Sequence, residues 1–398
     1  MNYQFSKSLD GFSSSAVRDI LKLTQGKSII SFAGGLPAEE LFPIEAVREA
    51  VNRVMDQGKG ALQYGLTEGY IPLRQSIAKW MGEKGINVSI DEMLITTGSQ
   101  QAIDLLTRIY IDPGDVILVE EPTYLAAIQV FQSRGAKIVS VRGDQDGLDP
   151  DDLKAKIKEH NPKLAYVIPT FSNPTGKVWS LERRQSVLNI CQEANVLILE
   201  DDPYGEIKFG DTETYPSIFA LSGKAEGSCV VYTSTFSKTV APALRTGWVV
   251  GDADLIRNMT RMKQAADLHS STLDQQTLYQ LMEHFDLNGH IRTIRAHYES
   301  RMRIMADLLK EKNWPGVTWV EPKGGMFFWV ELPEGMRATD LLPKAVEQGV
   351  AFVPGSPFYA GDAKHNTMRL NYTHSDEESL REGMNRLDRA IQSMLAVK

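Results

Sequence analysis

The sequence predicts an α/β protein: a doubly wound, mostly parallel sheet in a large domain, joined by a smaller α+β domain. Three observations predict it. Short apolar runs and helical patterns alternate from residue 93 to residue 200 at the spacing of βαβ units. Turns rich in glycine, hydroxyls and amides follow those apolar runs, at the strand ends where open α/β sheets bind ligands. And 398 residues suffice for a substantial core and two domains.

In chain order, residues 15–23 read as a short helix, and Ile29 to Pro37 as an apolar segment breaking into a Gly34-Gly35 loop. Paired glycines let a ligand approach the backbone closely. Residues 44–57 and 70–81 have helical periodicity, with a polar, glycine-rich loop holding Tyr64 between them. Strands are expected at 93–97, 116–120, 137–141, 164–169 and 196–200. Helices are expected from 98 to 109, near 124–133, and at 151–159 and 181–194. The apolar runs 229–232 and 248–250 add two strands. Beyond Gly251 the pattern turns helical at 252–265 and 272–285, and a long helix at 287–310 can bridge two domains. Strands at 317–322, 326–332, 351–353 and 368–372, with helices at 339–348 and 376–395, make the smaller unit. The expected division is a large domain of 46–286 and a small one of 1–45 with 287–398.

Composition excludes several classes. A net charge of −8 argues against a nucleic-acid surface. Two cysteines, Cys191 and Cys229, need no disulfide framework and read as buried thiols. The first residues carry no apolar signal-peptide core, and no apolar run reaches membrane-spanning length, so the expected compartment is the cytosol. The seven histidines show no metal-ligand spacing, so no metal is expected.

The chemistry centres on Ser234-Thr235-Phe236-Ser237-Lys238, at the end of an apolar strand and followed by Arg245. A lysine there can form a Schiff base with an aldehyde cofactor while its neighbours hold an attached phosphate. Arg245 offers a permanently charged, planar clamp to phosphate oxygens. Gly98-Ser99-Gln100 joins a strand to a helix start, which gathers free N–H groups and the positive end of the helix dipole into an anion site. Ser99 serves there as an N-cap, a phosphate contact or both.

With Asn173-Pro174-Thr175-Gly176, Asp201 to Tyr204, and Arg369-Leu370-Asn371-Tyr372, these motifs fall in an order that resembles the class I/II aminotransferases, fold-type I enzymes using pyridoxal 5′-phosphate. The resemblance covers nearly the whole chain. It implies that Lys238 is the Schiff-base lysine and that Asp201 faces the pyridine nitrogen, with Asp202 as the alternative. Tyr204 and Asn173 then donate to the phenolic oxygen, and Tyr124 stacks on the ring. Gly98, Ser99, Gln100, Thr235, Ser237 and Arg245 would hold the phosphate. Tyr64 would reach the phosphate of a neighbouring subunit, which implies a homodimer. Arg369 would bind the substrate α-carboxylate, and Asn173-Pro174 is expected to be cis. Within the family, Phe32 to Pro37 with Arg18 upstream looks like the 2-aminoadipate and kynurenine aminotransferase branch. There the N-terminal helix and the loop carrying Gly35 cover the substrate. Arg18 is either a substrate contact or a surface residue. The implied reaction is a ping-pong transfer of an amino group from an L-amino acid to a 2-oxo acid, with 2-oxoglutarate the expected acceptor and aminoadipate, aromatic or branched donors. A β-lyase or decarboxylase on the same fold remains an alternative. An effector-binding domain of a transcriptional regulator is a weaker one, because only about 45 residues precede the first large-domain helix.

Overall fold

A computed structural model describes residues 1–6, 9, 20, 29–210 and 215–396. Arg18 and, apart from Ile20, the expected helix at 15–23 lie outside them.

Seven strands form the principal sheet: β1 (Met93–Thr96), β2 (Val116–Glu120), β3 (Lys137–Val141), β4 (Leu164–Val167), β5 (Leu197–Asp201), β6 (Val230–Thr235) and β7 (Gly247–Val250). Their order is β1-β7-β6-β5-β4-β2-β3. All neighbours pair in parallel except β7, which runs against both β1 and β6. The interior strands β4, β5 and β6 are buried at every position, whereas the edge strand β3 opens to solvent. That is the mark of a sheet covered on both faces. The covering helices are α1 (Ile44–Met55), α2 (Ile71–Gly82), α3 (Ser99–Tyr110), α4 (Leu125–Ser133), α5 (Pro150–His160), α6 (Leu181–Glu193), α7 (Ala253–Asp267) and α8 (Thr272–His284).

The 26-residue α9 (Leu287–Lys312) follows. Leu287 and Ile291 join the core beneath the principal sheet, while Ile294, Tyr298, Met302 and Met305 join a second core. One amphipathic stripe thus serves both cores, as the long pattern in the sequence suggested. The second core lies against an antiparallel sheet of β8 (Thr318–Trp319), β9 (Phe327–Glu331), β10 (Val353–Pro354) and β11 (Thr367–Asn371), ordered β8-β9-β11-β10. Helices α10 (Ala338–Glu347) and α11 (Glu377–Leu395) complete it.

Several boundaries differ from expectation. The strand expected at 317–322 keeps only Thr318–Trp319. The run at 351–353 splits: Val350–Ala351 pairs in parallel with Ile30–Ser31, and Val353–Pro354 pairs with β11. β6 runs three residues past the expected end because Thr233, Ser234 and Thr235 pair with Val249, Trp248 and Gly247 of β7. That pairing is invisible in hydropathy. The helix Ile218–Ser222, capped by the Ser217 side chain, was not expected. Among the described residues no helix is long and apolar enough to cross a membrane.

Candidate active site

The carboxyl ends of β1, β2, β4, β5 and β6 share one rim, and the reversed β7 brings its first residue to it. Gly247 sits opposite both Thr235 and Thr96. The backbone leaves no room for a side chain there: a Cβ on Gly247 would lie 2.7 Å from the Ser234 carbonyl oxygen and 2.9 Å from the Gly98 carbonyl carbon. Close approach therefore joins the turn after β1 to the turn after β6.

Lys238 ends a short 3-10 turn, Phe236–Lys238. Thr235 Oγ1 accepts from the Ser237 N–H at 3.1 Å and donates to the Thr246 carbonyl at 3.0 Å, which fixes the turn. The Lys238 ammonium donates to the Gly35 carbonyl at 2.8 Å. Burial, then repulsion from Arg369 and Arg245, pulls its pKa down to about 8.

The anion site has the expected form. Gly98 adopts φ +73°, open to glycine at little strain, and α3 starts at Ser99. Gly98 has no side chain to cap the helix, and while the Gln101 N–H is taken by the Gly98 carbonyl at 3.2 Å, the N–H groups of Ser99 and Gln100 are left for another acceptor. The Ser99 hydroxyl is buried without a protein partner. Arg245 lies against Gly98. Its contacts to Ser237 Oγ, the Pro242 carbonyl and the Thr97 carbonyl are all 3.5 Å, at the limit of a hydrogen bond. A better acceptor can therefore take it.

Asp201 closes β5, and the alternation of the strand sends it and Asp202 to opposite faces. Asp202 accepts from the Tyr232 hydroxyl at 3.0 Å and the Gly205 N–H at 2.9 Å. Asp201 Oδ2 accepts from the Tyr166 hydroxyl at 2.7 Å, while its buried Oδ1 has no protein partner. Burial pushes the Asp201 carboxyl up to about 7, against the Tyr166 hydrogen bond.

Arg369, on β11, donates to Asn173 Oδ1 at 2.7 Å and to the Ala33 carbonyl at 2.6 Å. Its guanidinium lies 4.2 Å from the Phe327 ring centre and 5.1 Å from that of Phe358. The Asn173 side chain also hydrogen-bonds the Tyr204 hydroxyl, and the Asn173-Pro174 bond is cis, as is Glu121-Pro122. Tyr124 caps α4, its hydroxyl 3.4 Å from Gln100 Oε1; burial, then the Asp201 charge, raises its pKa to about 12.

Lys238 and Gly35 are thus in direct contact, and so are Arg369, Asn173 and Tyr204; Arg369 also holds the Ala33 carbonyl, two residues before Gly35. Asp201, Tyr124, Gln100, Ser99, Gly98, Thr235, Ser237 and Arg245 line the same rim. Tyr64 stands apart: it is 78% exposed, with its ring edge-on to His269. Sequence reasoning missed Tyr166, Phe327 and Phe358. Tyr166 carried a signal. A tyrosine in the otherwise aliphatic strand Leu164-Ala165-Tyr166-Val167 needs a partner for its hydroxyl.

The sequence profile for "Aminotransferase class I and II" matches residues 27–387. The chain belongs to that family. A 2-aminoadipate transaminase of Thermus thermophilus is 40% identical over 394 residues, 99% of this chain and 98% of that protein. An aromatic-amino-acid aminotransferase of Thermococcus litoralis is 40% identical over 395 residues, 98% of this chain and 94% of that one. The crystal structure of an α-aminoadipate aminotransferase from Thermus thermophilus, complexed with N-(5′-phosphopyridoxyl)-L-leucine, matches with a TM-score of 0.92 at 40% identity, covering 99% of this chain and 98% of that one.

This aminotransferase depends on pyridoxal 5′-phosphate, and its residues fit that cofactor. Two buried polar atoms without protein partners, Ser99 Oγ and Asp201 Oδ1, suit a phosphate oxygen and a ring N–H. A helix start and a loosely held arginine suit the phosphate dianion, and a lysine of lowered pKa suits the aldehyde.

Proposed function

We propose that this aminotransferase has broad donor specificity, taking aminoadipate, aromatic and branched L-amino acids, with 2-oxoglutarate as the amino acceptor. The reading is supported by the names of its relatives, a 2-aminoadipate transaminase and an aromatic-amino-acid aminotransferase, and by the leucine adduct held by its structural neighbour. The amino transfer itself is carried by the buried Lys238 amine, held at 2.8 Å from the Gly35 carbonyl, its pKa lowered to about 8 by burial and then by Arg369 and Arg245.

Bound pyridoxal phosphate supplies an aldehyde that links to amines and a ring that accepts an electron pair. The chain's own residues do the rest. The neutral Lys238 amine would act as the base that takes the substrate Cα proton and as the acid that gives it back. Arg369 grips the substrate α-carboxylate through its fork, exchanging the Ala33 carbonyl for a carboxylate oxygen. Asn173 keeps that guanidinium oriented. Asp201 Oδ1 would keep a proton on the ring nitrogen, and Tyr204 and Asn173 would donate to the phenolic oxygen. Tyr124 covers the ring face. Gly98, Ser99, Gln100, Thr235, Ser237 and Arg245 hold the phosphate, and Gly35 lies over the substrate.

The working unit is a homodimer in the cytosol, in which Tyr64 of one subunit reaches the phosphate of the other. The free thiols of Cys191 and Cys229 accord with a reducing compartment. Each subunit divides into 46–286 and 1–45 with 287–398, a division supported by the two sheets and their separate cores.

The test is the visible spectrum of the protein loaded with pyridoxal phosphate. Glutamate is expected to abolish the cofactor's visible band and 2-oxoglutarate to restore it, with aminoadipate, aromatic and branched donors acting like glutamate. A protein that binds the cofactor but keeps its band with every donor overturns the reading.

A further inference from the structure

Most deeply buried charges outside the site have a clear structural task. Glu200 accepts from the Ile218 and Phe219 N–H groups and faces Arg184. Arg184 in turn donates to the carbonyls of Pro169, Trp179 and Pro216. Lys263 is different. It is 0% exposed and sits on α7, in the stripe of Ile256 and Met259 that packs on Ala102, Ile103, Leu105 and Leu106 of α3. An apolar residue is what that stripe calls for. Desolvating an ammonium costs several kcal/mol, and a hydrophobic side chain of similar volume often serves stability as well or better.

The ammonium makes three short contacts: Gln101 Oε1 at 2.6 Å and the two Asp267 oxygens at 2.9 and 2.8 Å. Asp267 is one-third exposed and lies on the same helix, so it does not explain why the lysine is buried. Gln101 does. Its Oε1 also accepts the Thr97 N–H at 2.8 Å, and its Nε2 donates to Asp267 at 2.7 Å. With two donors converging on one oxygen, the amide has one orientation. The Thr97 hydroxyl meets Ser270, just beyond α7, at 2.9 Å. The Thr97 carbonyl faces Arg245, and Gly98 and Ser99 come next in the chain.

We infer that Lys263 is a positioning residue for the anion-binding turn: through Gln101 it fixes the Thr97 backbone, and so sets the aim of the α3 N-terminus and of Arg245 at a phosphate. This inference rests on the proposed cup of Gly98, Ser99, Gln100 and Arg245. It predicts a function confined to the phosphate end of the cofactor, because neither Lys238 nor Asp201 is in the relay. Its chemistry favours a phosphate dianion over an uncharged group at the same place.

The test compares two ligands on the full-length protein resolved from its cofactor. Pyridoxal 5′-phosphate and pyridoxal share the ring and aldehyde and differ in the phosphate. Lys263→Met is expected to weaken pyridoxal phosphate about tenfold, the loss of one charge-assisted hydrogen bond's worth of orientation, and to leave pyridoxal unchanged. Its melting temperature should fall only modestly, because Asp267, left without its cation, is one-third exposed and keeps the Gln101 amide donor. Gln101→Met keeps the Lys263–Asp267 ion pair and cuts the relay, and should show the same phosphate-selective loss; it decides the matter if Lys263→Met does not fold. Equal losses for the two ligands, or none for either, would make Lys263 a packing residue and overturn the inference. A wild-type protein that binds neither ligand would instead overturn the cofactor cup itself.

Discussion

Asp201 and Asp202 are adjacent and chemically identical, yet only one suits the ring nitrogen of the cofactor. The difference is what each oxygen already holds. Both oxygens of Asp202 are engaged by Tyr232 and Gly205, whereas Asp201 spends one on Tyr166 and keeps the other free of protein partners. A carboxyl so placed resists ionisation until a cation is brought to it, and burial holds it near 7. The folded pKa lies above the unfolded value of 3.8, so the folded, cofactor-free protein binds the extra proton between about pH 4 and pH 7. Stability from this group is whole below that window and is lost as pH rises through it. Asn at 201 has no such proton. Asp201→Asn apoprotein should come close to wild type near pH 4 and exceed it by roughly 4 kcal/mol at pH 8. Urea midpoints across that range measure it, and a difference independent of pH would refute the desolvated carboxyl. In the sequence only the resemblance favoured Asp201 over Asp202, because the contacts that separate them come from Tyr166 and Tyr232 on neighbouring strands.

Among the elements, the strand–turn–helix unit at 93–110 was readable from local chemistry: an apolar strand, one glycine and a helix start need no partner to be recognised. β7 was not. Its direction, and its place between β1 and β6, depend on strands separated from each other by more than a hundred residues of chain. So Gly247 carried no local signal, although its neighbours leave it no freedom. The two glycines of the rim should fail differently when a methyl group is added. In Gly247→Ala the new atom meets main-chain atoms at 2.7 and 2.9 Å, which cannot rotate away. The expected loss is about 2 kcal/mol or more of stability, seen as a lower melting temperature with or without cofactor. In Gly98→Ala the nearest atom is the end of the Arg245 side chain, at 2.9 Å, and the left-handed backbone adds strain of about 1 kcal/mol. That guanidinium can swing aside, but in doing so it would leave the proposed phosphate cup. Gly98→Ala should therefore melt closer to wild type yet bind pyridoxal phosphate more weakly than Gly247→Ala does, relative to its stability. Equal melting temperatures for the two variants would contradict the close packing at β7.

At the scale of the whole molecule, alternating strands and helices gave the α/β class, and the order of motifs gave the family, because both are properties of a single chain. What one chain cannot explain is its own surface between residues 44 and 71. Ile44, Leu62, Tyr64 and Leu66 are each more than half exposed, and Leu268 stands out close by, next to the His269 that touches Tyr64. Large apolar side chains gathered in this way mark an interface more often than a solvated face. A two-fold dimer would cover them on both subunits at once. If Tyr64 completes the phosphate cup of its neighbour, each site takes Lys238 from one subunit and Tyr64 from the other. That arrangement can be tested by mixing two defective proteins. Lys238→Ala has no lysine to join the cofactor, and Tyr64→Ala should hold it weakly. In a hybrid dimer one site carries both lesions and the other carries neither. After equal amounts are dissociated and reassembled at random, about a quarter of the sites should regain tight cofactor binding and turnover. If Tyr64 acted on its own subunit's cup, every hybrid site would carry one lesion and nothing would be regained. Sedimentation velocity on each parent protein fixes the subunit count, and a dimer that shows no recovery would leave the apolar surface as packing alone, with each active site built from a single chain.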